Sequence, residues 1–127
     1  MVVCQGDVFW ANFYRAKGSE PQNRRPVVVV QRDSINRSKF QTVTVVPLTK
    51  QIQHADLPGN VLLRKGEANL PIESLARCTH VMVIDKSRLE EKIGTLSKKK
   101  RQDITNHIIW VLGQGQAPEI SSKAIKR

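Results

Sequence analysis

The amino-acid sequence predicts a mainly β fold, in which short strands form a small barrel and one helix follows near the C-terminus. Three observations lead to this prediction. Segments rich in β-branched residues follow one another at short intervals, turn-forming residues separate them, and a helical spacing of apolar residues occurs convincingly only once. Many short strands joined by frequent turns are typical of barrels.

Six segments have the composition of strands, and they cover residues 6–13, 26–31, 42–47, 60–64, 74–78 and 80–84. Two of the intervening segments, 18–23 and 56–60, combine glycine, proline and asparagine and therefore reverse the chain. The runs 27–30 and 43–46 do not alternate with charges, so we expect both faces of these two strands to be covered.

The long helix is predicted to begin after Ser97, a suitable N-cap, and to end at Gly113. Its apolar stripe consists of Ile104, Ile108 and Leu112, which recur every four residues and should pack on the barrel. The helix side chains expected to face water are those of Lys98, Lys99, Arg101 and Asp103. Residues 1–113 are thus predicted to be one domain, and residues 114–127 a basic, mobile tail.

The sequence offers no sign of a membrane segment, a metal site or a cofactor site. No apolar run approaches the roughly 20 residues of a membrane-spanning helix, so we expect a cytoplasmic protein. Two cysteines, Cys4 and Cys78, are too few for a zinc site and are expected to be free, buried thiols. Because the three histidines are scattered and no acidic cluster is present, neither a metal nor a cofactor is expected.

The formal net charge of +10 points to a polyanionic partner, either nucleic acid or an acidic protein. A basic surface attracts phosphates, and binding gains entropy when condensed counterions are released. Part of the charge lies in residues 98–101 and in the last five residues, where it is equally consistent with a solvated helix face and a loose tail.

Strands 26–31 and 42–47 are close enough in sequence to form an antiparallel hairpin, with its centre near Arg37. In that register Arg25 lies opposite Thr49, at the open end of the hairpin. When the 2′-oxygen of RNA attacks the neighbouring phosphate, the extra negative charge on phosphorus must be stabilised and the leaving oxygen needs a hydrogen-bond donor. An arginine can stabilise that charge, and a hydroxyl can donate the hydrogen bond. The alternative is that Arg25 is a surface cation and Thr49 a turn residue.

Several short blocks, in the same order, resemble those of the MazF, PemK and Kid toxins. The resemblance covers roughly residues 3–113 and is carried by Gly6-Asp7-Val8-Phe9-Trp10, Gly18-Ser19-Glu20, Arg25-Pro26-Val27, Asn36-Arg37, Pro47-Leu48-Thr49 and Ile84-Asp85. It implies an SH3-like β-barrel of the CcdB, Kid and MazF type. It further implies a homodimer, alone or in a heterohexamer with an antitoxin.

The activity implied by this resemblance is sequence-specific, metal-independent cleavage of single-stranded RNA, chiefly mRNA, by an endoribonuclease. Transesterification by the 2′-hydroxyl would leave cyclic phosphate and 5′-hydroxyl ends, and an acidic antitoxin would restrain the toxin. Two alternatives remain open, a gyrase poison like CcdB and a nonenzymatic RNA-binding module.

The resemblance assigns catalysis to Arg25 and Thr49 and adds three candidates. Glu20 is either a base or a partner that orients Arg25. Arg77 matches a Kid arginine, but Thr79 replaces the aspartate base that follows it in Kid. His80 stands where many relatives have glutamine, so it is either a proton donor or a simple hydrogen-bonding residue.

Contacts to RNA are expected from the 18–23 loop, from basic residues and from aromatic residues on which bases stack. The residues chosen for this role are Ser19, Arg24, Arg37, Lys39, Lys50, Phe13, Tyr14 and Thr79.

Overall fold

The computed structural model describes residues 1–13 and 24–118, which form seven strands and two α-helices. The strands are β1 (Asp7–Asn12), β2 (Arg24–Val29), β3 (Thr42–Thr49), β4 (Asn60–Leu63), β5 (Ser74–Arg77), β6 (Met82–Asp85) and β7 (Leu89–Thr95). The helices are α1 (Asp33–Asn36) and α2 (Lys98–Val111). The predicted mainly β architecture with a C-terminal helix is confirmed.

The strands form one antiparallel sheet in the order β4, β5, β3, β2, β1, β7, and β6 also pairs with β3. In the β2–β3 hairpin Val27 pairs with Pro47 and Val29 with Val45. This is the register predicted from the sequence. The observed pairing of the two strands ends at Val27 and Pro47. Continued by two residues, the same register would place Arg25 opposite Thr49.

β5 and β6 both pair with β3, with a 3-10 turn between them. Leu75 in β5 pairs with Thr49 at one end of β3, and Asp85 in β6 pairs with Thr42 at the other. The turn, Cys78–His80, separates the two strands. The expectation that a strand begins at residue 80 is therefore wrong, because His80 belongs to the turn.

The strand β7 was not predicted, and it pairs with β1 along the edge of the sheet. Glu90, Glu91 and Lys92 are all exposed, so the segment lacks the apolar alternation by which the other strands were recognised. The carboxamide of Asn69, in the turn between β4 and β5, donates to the Ile93 carbonyl of β7 over 3.1 Å. This bond links the two ends of the strand order, as expected of a sheet with a barrel-like shape.

Both faces of the central strands are covered, as predicted. Val28 and Val46 belong to one apolar cluster with Leu63 and Ile104. Val27 and Val45 belong to a second cluster on the opposite face. Alternate residues of β2 and β3 are thus buried in two different cores, which fixes the strands rigidly.

Helix α2 begins and ends as predicted. The Ser97 hydroxyl accepts a hydrogen bond from the Lys100 amide, and Gly113 follows the helix with a φ of +92°. Ile104 is buried and Ile108 half-buried, but Leu112 is 69% exposed, so the apolar stripe is shorter than expected.

The polar face of α2 differs from the prediction at two positions. Lys98 and Lys99 are exposed as expected. Arg101, expected to face water, is half-buried because its aliphatic part lies against Gly6, where a Cβ would collide with it. Asp103 is also half-buried.

The two cysteines are free, but only one is buried. Cys78 lies in the core, where burial raises the pKa of its thiol to about 12. Cys4 is exposed, because it lies in the turn before β1, so its expected burial is wrong. None of the helices within residues 1–13 and 24–118 has the length and apolar character that crossing a membrane requires.

Candidate functional site

Arg25 and Thr49 line the same groove, which has a volume of about 500 Å³. The groove lies where β2 begins and β3 ends, which are neighbouring ends of the antiparallel hairpin, so both residues reach one surface. Its other lining residues are Trp10, Arg24, Pro26, Leu48, Lys50, Gln51, Leu70, Pro71, Ile72 and Ser74. Cations and a hydroxyl therefore stand beside a largely apolar wall.

Thr49 is held in place by the chain that follows it. Its hydroxyl oxygen accepts a hydrogen bond from the Gln51 amide over 3.2 Å. The hydroxyl proton is not used in that bond, because the amide is the donor. Thr49 can therefore donate a proton or a hydrogen bond to a group in the groove.

The two adjacent arginines have different surroundings. The Arg25 guanidinium lies over the Phe13 ring, 5.9 Å from its centroid, and Arg25 is exposed. Phe13 thus positions Arg25 without neutralising it. Arg25 is therefore suited to bind a phosphate.

Arg24, in contrast, is held by acidic side chains of β7. It pairs with Glu90 and, over 3.0 Å, with Glu91, and it covers the Trp10 ring at 4.5 Å. The hydrogen bond to Glu90 is the largest contribution that raises the pKa of Arg24. The positive charge of Arg24 is thus offset, whereas no ion pair joins Arg25 to an acidic residue within residues 1–13 and 24–118.

A second cavity, of about 210 Å³, adjoins the groove, and Thr49 and Gln51 line both. Two predicted site residues, Arg77 and Thr79, also line the second cavity. Arg77 lies at the end of β5, where it pairs with Asn60 of β4. The structure thus brings Arg77 and Thr49 together around one cavity.

His80 lines neither of these two cavities. It is exposed, and its Nδ1 atom is 2.9 Å from the Thr79 hydroxyl, which does belong to the second cavity. His80 is therefore connected to the site through Thr79.

The remaining predicted site residues lie elsewhere. Tyr14, Ser19 and Glu20, with the rest of the 18–23 loop, lie outside the described residues. Arg37 and Lys39 are exposed in the connection between β2 and β3, at the opposite end of the hairpin from Arg25. Lys50 lines the groove.

Sequence reasoning missed the loop after Thr49 and the acidic pair Glu90–Glu91. Gln51, Gln53 and His54 all line the second cavity. A signal was present, since residues 50–54 are nearly all polar and follow directly after Thr49. No group of three or more histidine, cysteine or acidic residues within residues 1–13 and 24–118 is arranged to hold a metal ion.

A cation, a hydroxyl donor and an adjoining small cavity on a barrel-like sheet form a site suited to binding a phosphodiester. The family model for the PemK-like, MazF-like toxin of type II toxin-antitoxin systems matches residues 4–112. The chain belongs to this toxin family.

Individual relatives agree with the family assignment. The chain is 36% identical over 109 residues to Endoribonuclease MazF of Staphylococcus saprophyticus. The match covers 86% of this chain and 90% of that protein. It is 30% identical over 112 residues to Endoribonuclease MazF6 of Mycobacterium tuberculosis, and the match covers 88% of this chain and 98% of that protein.

Solved structures confirm the expected SH3-like, barrel-type fold. The Mycobacterium tuberculosis toxin MazF-mt6 is similar with a TM-score of 0.70 at 20% identity, over 87% of this chain and 99% of that one. A MazE-MazF structure from Deinococcus radiodurans is similar with a TM-score of 0.72 at 20% identity, and the match covers 91% of this chain and 100% of that one.

Proposed function

We propose that this chain is a metal-independent, sequence-specific endoribonuclease that cleaves single-stranded RNA, chiefly mRNA, in the bacterial cytoplasm. The observation that carries the proposal is the groove that Arg25 and Thr49 share. Two relatives with at least 30% identity are named endoribonucleases.

The reaction is a transesterification at phosphorus. The 2′-oxygen forms a bond to phosphorus while the bond to the 5′-oxygen breaks, and the products are a 2′,3′-cyclic phosphate and a 5′-hydroxyl. Arg25 stabilises the extra negative charge on the five-coordinate phosphorus. Thr49 donates a hydrogen bond to the same phosphate or to the departing 5′-oxygen.

Two proton transfers accompany the reaction, and Arg77, His80 and Glu20 are the candidates to assist them. The 2′-hydroxyl must lose a proton, and the 5′-oxygen must gain one. Arg77 lines the cavity next to Thr49 and can support the leaving oxygen. Glu20 takes the 2′-hydroxyl proton or, in the alternative, only orients Arg25. His80, which contacts Thr79, donates the proton to the 5′-oxygen or, in the alternative, only a hydrogen bond, in which case Thr49 or Arg77 is the proton donor.

RNA is proposed to follow the groove and the second cavity. Lys50 holds a phosphate, and Phe13 and Thr79 contact nucleotides beside it. The other proposed RNA contacts, carried over from the sequence, are Tyr14, Ser19, Arg24, Arg37 and Lys39.

The proposed assembly is a homodimer, which an acidic antitoxin inhibits, either on the dimer or within a heterohexamer. One structural neighbour is described as an endoribonuclease in complex with its cognate antitoxin. An extended acidic and apolar segment fits the groove, where Arg25 and Lys50 lie beside Leu48, Pro71 and Ile72.

The test is incubation of purified protein with long single-stranded RNA in EDTA, followed by mapping of the new 5′ ends. We expect discrete cuts that are lost in Arg25→Ala. Arg64→Ala is the matched control, because Arg64 is exposed but lines neither cavity.

Failure of the folded wild-type protein to cleave RNA would contradict the proposal. Binding of RNA without cleavage would then indicate a nonenzymatic module, and trapping of gyrase would indicate a poison like CcdB.

A further inference from the structure

The second cavity has the size and chemistry of a pocket for a single nucleobase. Its volume of about 210 Å³ is below the roughly 300–1,000 Å³ of sites for drug-sized ligands. The residues that line it include Gln51 and Gln53, whose side chains carry carboxamides, and the apolar residues Leu57 and Pro58. A base has apolar faces and an edge of hydrogen-bond donors and acceptors, so these two kinds of residue complement it.

The position of this cavity relative to the reaction centre is fixed by Thr49. Thr49 and Gln51 line both the cavity and the groove that contains Arg25. A phosphate bound between Arg25 and Thr49 therefore has a neighbouring nucleotide at the mouth of the cavity.

The loop that forms the cavity is anchored at several points. The Gly59 amide donates to Nδ1 of buried His107 over 2.9 Å, and the Gly59 carbonyl accepts from the Cys78 amide over 2.7 Å. The Asn60 carboxamide donates to the His54 carbonyl over 2.9 Å. Ala55 packs in a small buried cluster beneath the loop. The cavity is therefore formed before a ligand binds, which reduces the entropy cost of recognition.

The carboxamides of Gln51 and Gln53 are available to a ligand. Both residues are exposed, and neither side chain forms a hydrogen bond with any residue in the described ranges 1–13 and 24–118. A carboxamide both donates and accepts, so it can pair with two adjacent atoms on a base edge. Gln51 and Gln53 thus differ from Asn60, whose carboxamide holds the loop.

We propose that this cavity is a specificity pocket, in which Gln51 and Gln53 recognise one base next to the cleaved phosphodiester. The inference rests on the ribonuclease function proposed above. In this pocket His107 is a positioning residue, because it holds the loop at Gly59 and does not line the cavity.

The test is cleavage of an RNA library, randomised on both sides of the cut, by the wild type, Gln51→Leu and Gln53→Leu. We expect both variants to lose about tenfold or more of the discrimination at the same position and to keep the preferences at all other positions. Gln41→Leu is the matched control, because Gln41 is exposed and lines neither cavity, and it should leave every preference unchanged.

A second substitution separates recognition from a loss of folding. Gln53→Glu keeps the shape but replaces the amide donor with an acceptor, so it should shift the preference towards bases whose edge presents an amino group. Preferences within about twofold of wild type in all three variants would overturn the specificity pocket and leave the ribonuclease standing. Absence of cleavage by the wild type would reject both.

Discussion

Thr49 connects the two cavities, and the chemistry of its hydroxyl follows from one contact. Because the hydroxyl oxygen accepts from the Gln51 amide, the proton is free to serve the substrate. We predict that Thr49→Val lowers kcat by about 100-fold or more, which is the usual loss when a positioned proton or hydrogen-bond donor is removed. Thr49→Ser should restore most of the activity. Single-turnover cleavage of a short RNA measures both.

The same experiment tells Thr49 and Arg77 apart as donors. If Thr49→Val retains the wild-type rate and Arg77→Ala does not, the donor is Arg77, which shares the second cavity with Thr49. The melting temperature of each variant serves as the control for folding.

Contacts between residues that are close in the sequence could be predicted better than contacts between residues that are far apart in it. Arg25 and Thr49 could be placed together because a hairpin register follows from counting along one short segment. The ion pair between Arg24 and Glu90 could not, because the two residues are 66 positions apart and Glu90 lies in an unpredicted strand. From the sequence alone, Arg24 was therefore expected to be available to RNA, like Arg25.

Strand β7 depends on a close approach that only glycine permits. A Cβ at Gly94 would collide with the backbone carbonyl of Ala68, in the turn that follows β4. We predict that Gly94→Ala lowers the free energy of unfolding by about 1–3 kcal/mol, the usual cost of overpacking. Urea denaturation measures it, with Lys99→Ala on the exposed face of α2 as the control.

A Gly94→Ala protein as stable as wild type would mean that β7 can move away from the turn. The barrel-like curvature would then not depend on the contact between β7 and this turn, which includes the Asn69 bond.

The elements predicted from the sequence were those with an apolar pattern. β2 and β3 are buried on both faces, so their valine runs identify them. β7 exposes three consecutive charged residues, Glu90 to Lys92, and pairs with β1 through irregular register shifts. Helical spacing also placed α2 correctly but overestimated the length of its apolar stripe, because Leu112 is exposed.

The short helix α1 is tied to the N-terminal segment by a carboxylate. Asp33 accepts a hydrogen bond from the Gln5 amide over 2.6 Å, and this bond is the main cause that lowers the pKa of Asp33 below 3.8. Since the folded-state pKa is the lower one, this carboxylate stabilises the fold above pH 3.8, and the contribution is lost as the pH falls through the folded-state pKa.

Asp33→Asn should therefore be less stable than wild type near neutral pH, and the difference should shrink as the pH falls below 3.8. Denaturant unfolding at pH 7 and at pH 3 measures the two differences. A gap that does not change with pH would mean that the charge of Asp33 has no part in holding Gln5.

At the scale of the whole molecule, the 21 lysine and arginine residues overstate the number of cations available to a polyanion. Arg24 is paired with two glutamates, and Lys100 donates to the Leu62 carbonyl and lies 3.9 Å from Glu67. Arg25 and Lys50 are exposed and line the groove. The position of each cation therefore determines its effect on RNA binding.

The salt dependence of RNA binding tests this directly, because each phosphate contact adds about 0.7 to the slope of log affinity against log salt for single strands. We predict that Lys50→Ala lowers the slope by about this amount and weakens binding to all sequences alike. Lys99→Ala is the matched control, since Lys99 is equally exposed on α2 and lines neither cavity. Lys39→Ala tests the proposed contact at the other end of β2, roughly 20 Å away for a six-residue strand, and should lower the slope only if the RNA reaches that end. An RNA with a 2′-deoxy sugar at the cut site prevents cleavage during the titration. Equal losses for Lys50→Ala and Lys39→Ala would mean that the bound RNA extends along the whole hairpin, so that Arg37 and Lys39 belong to the binding surface together with the groove.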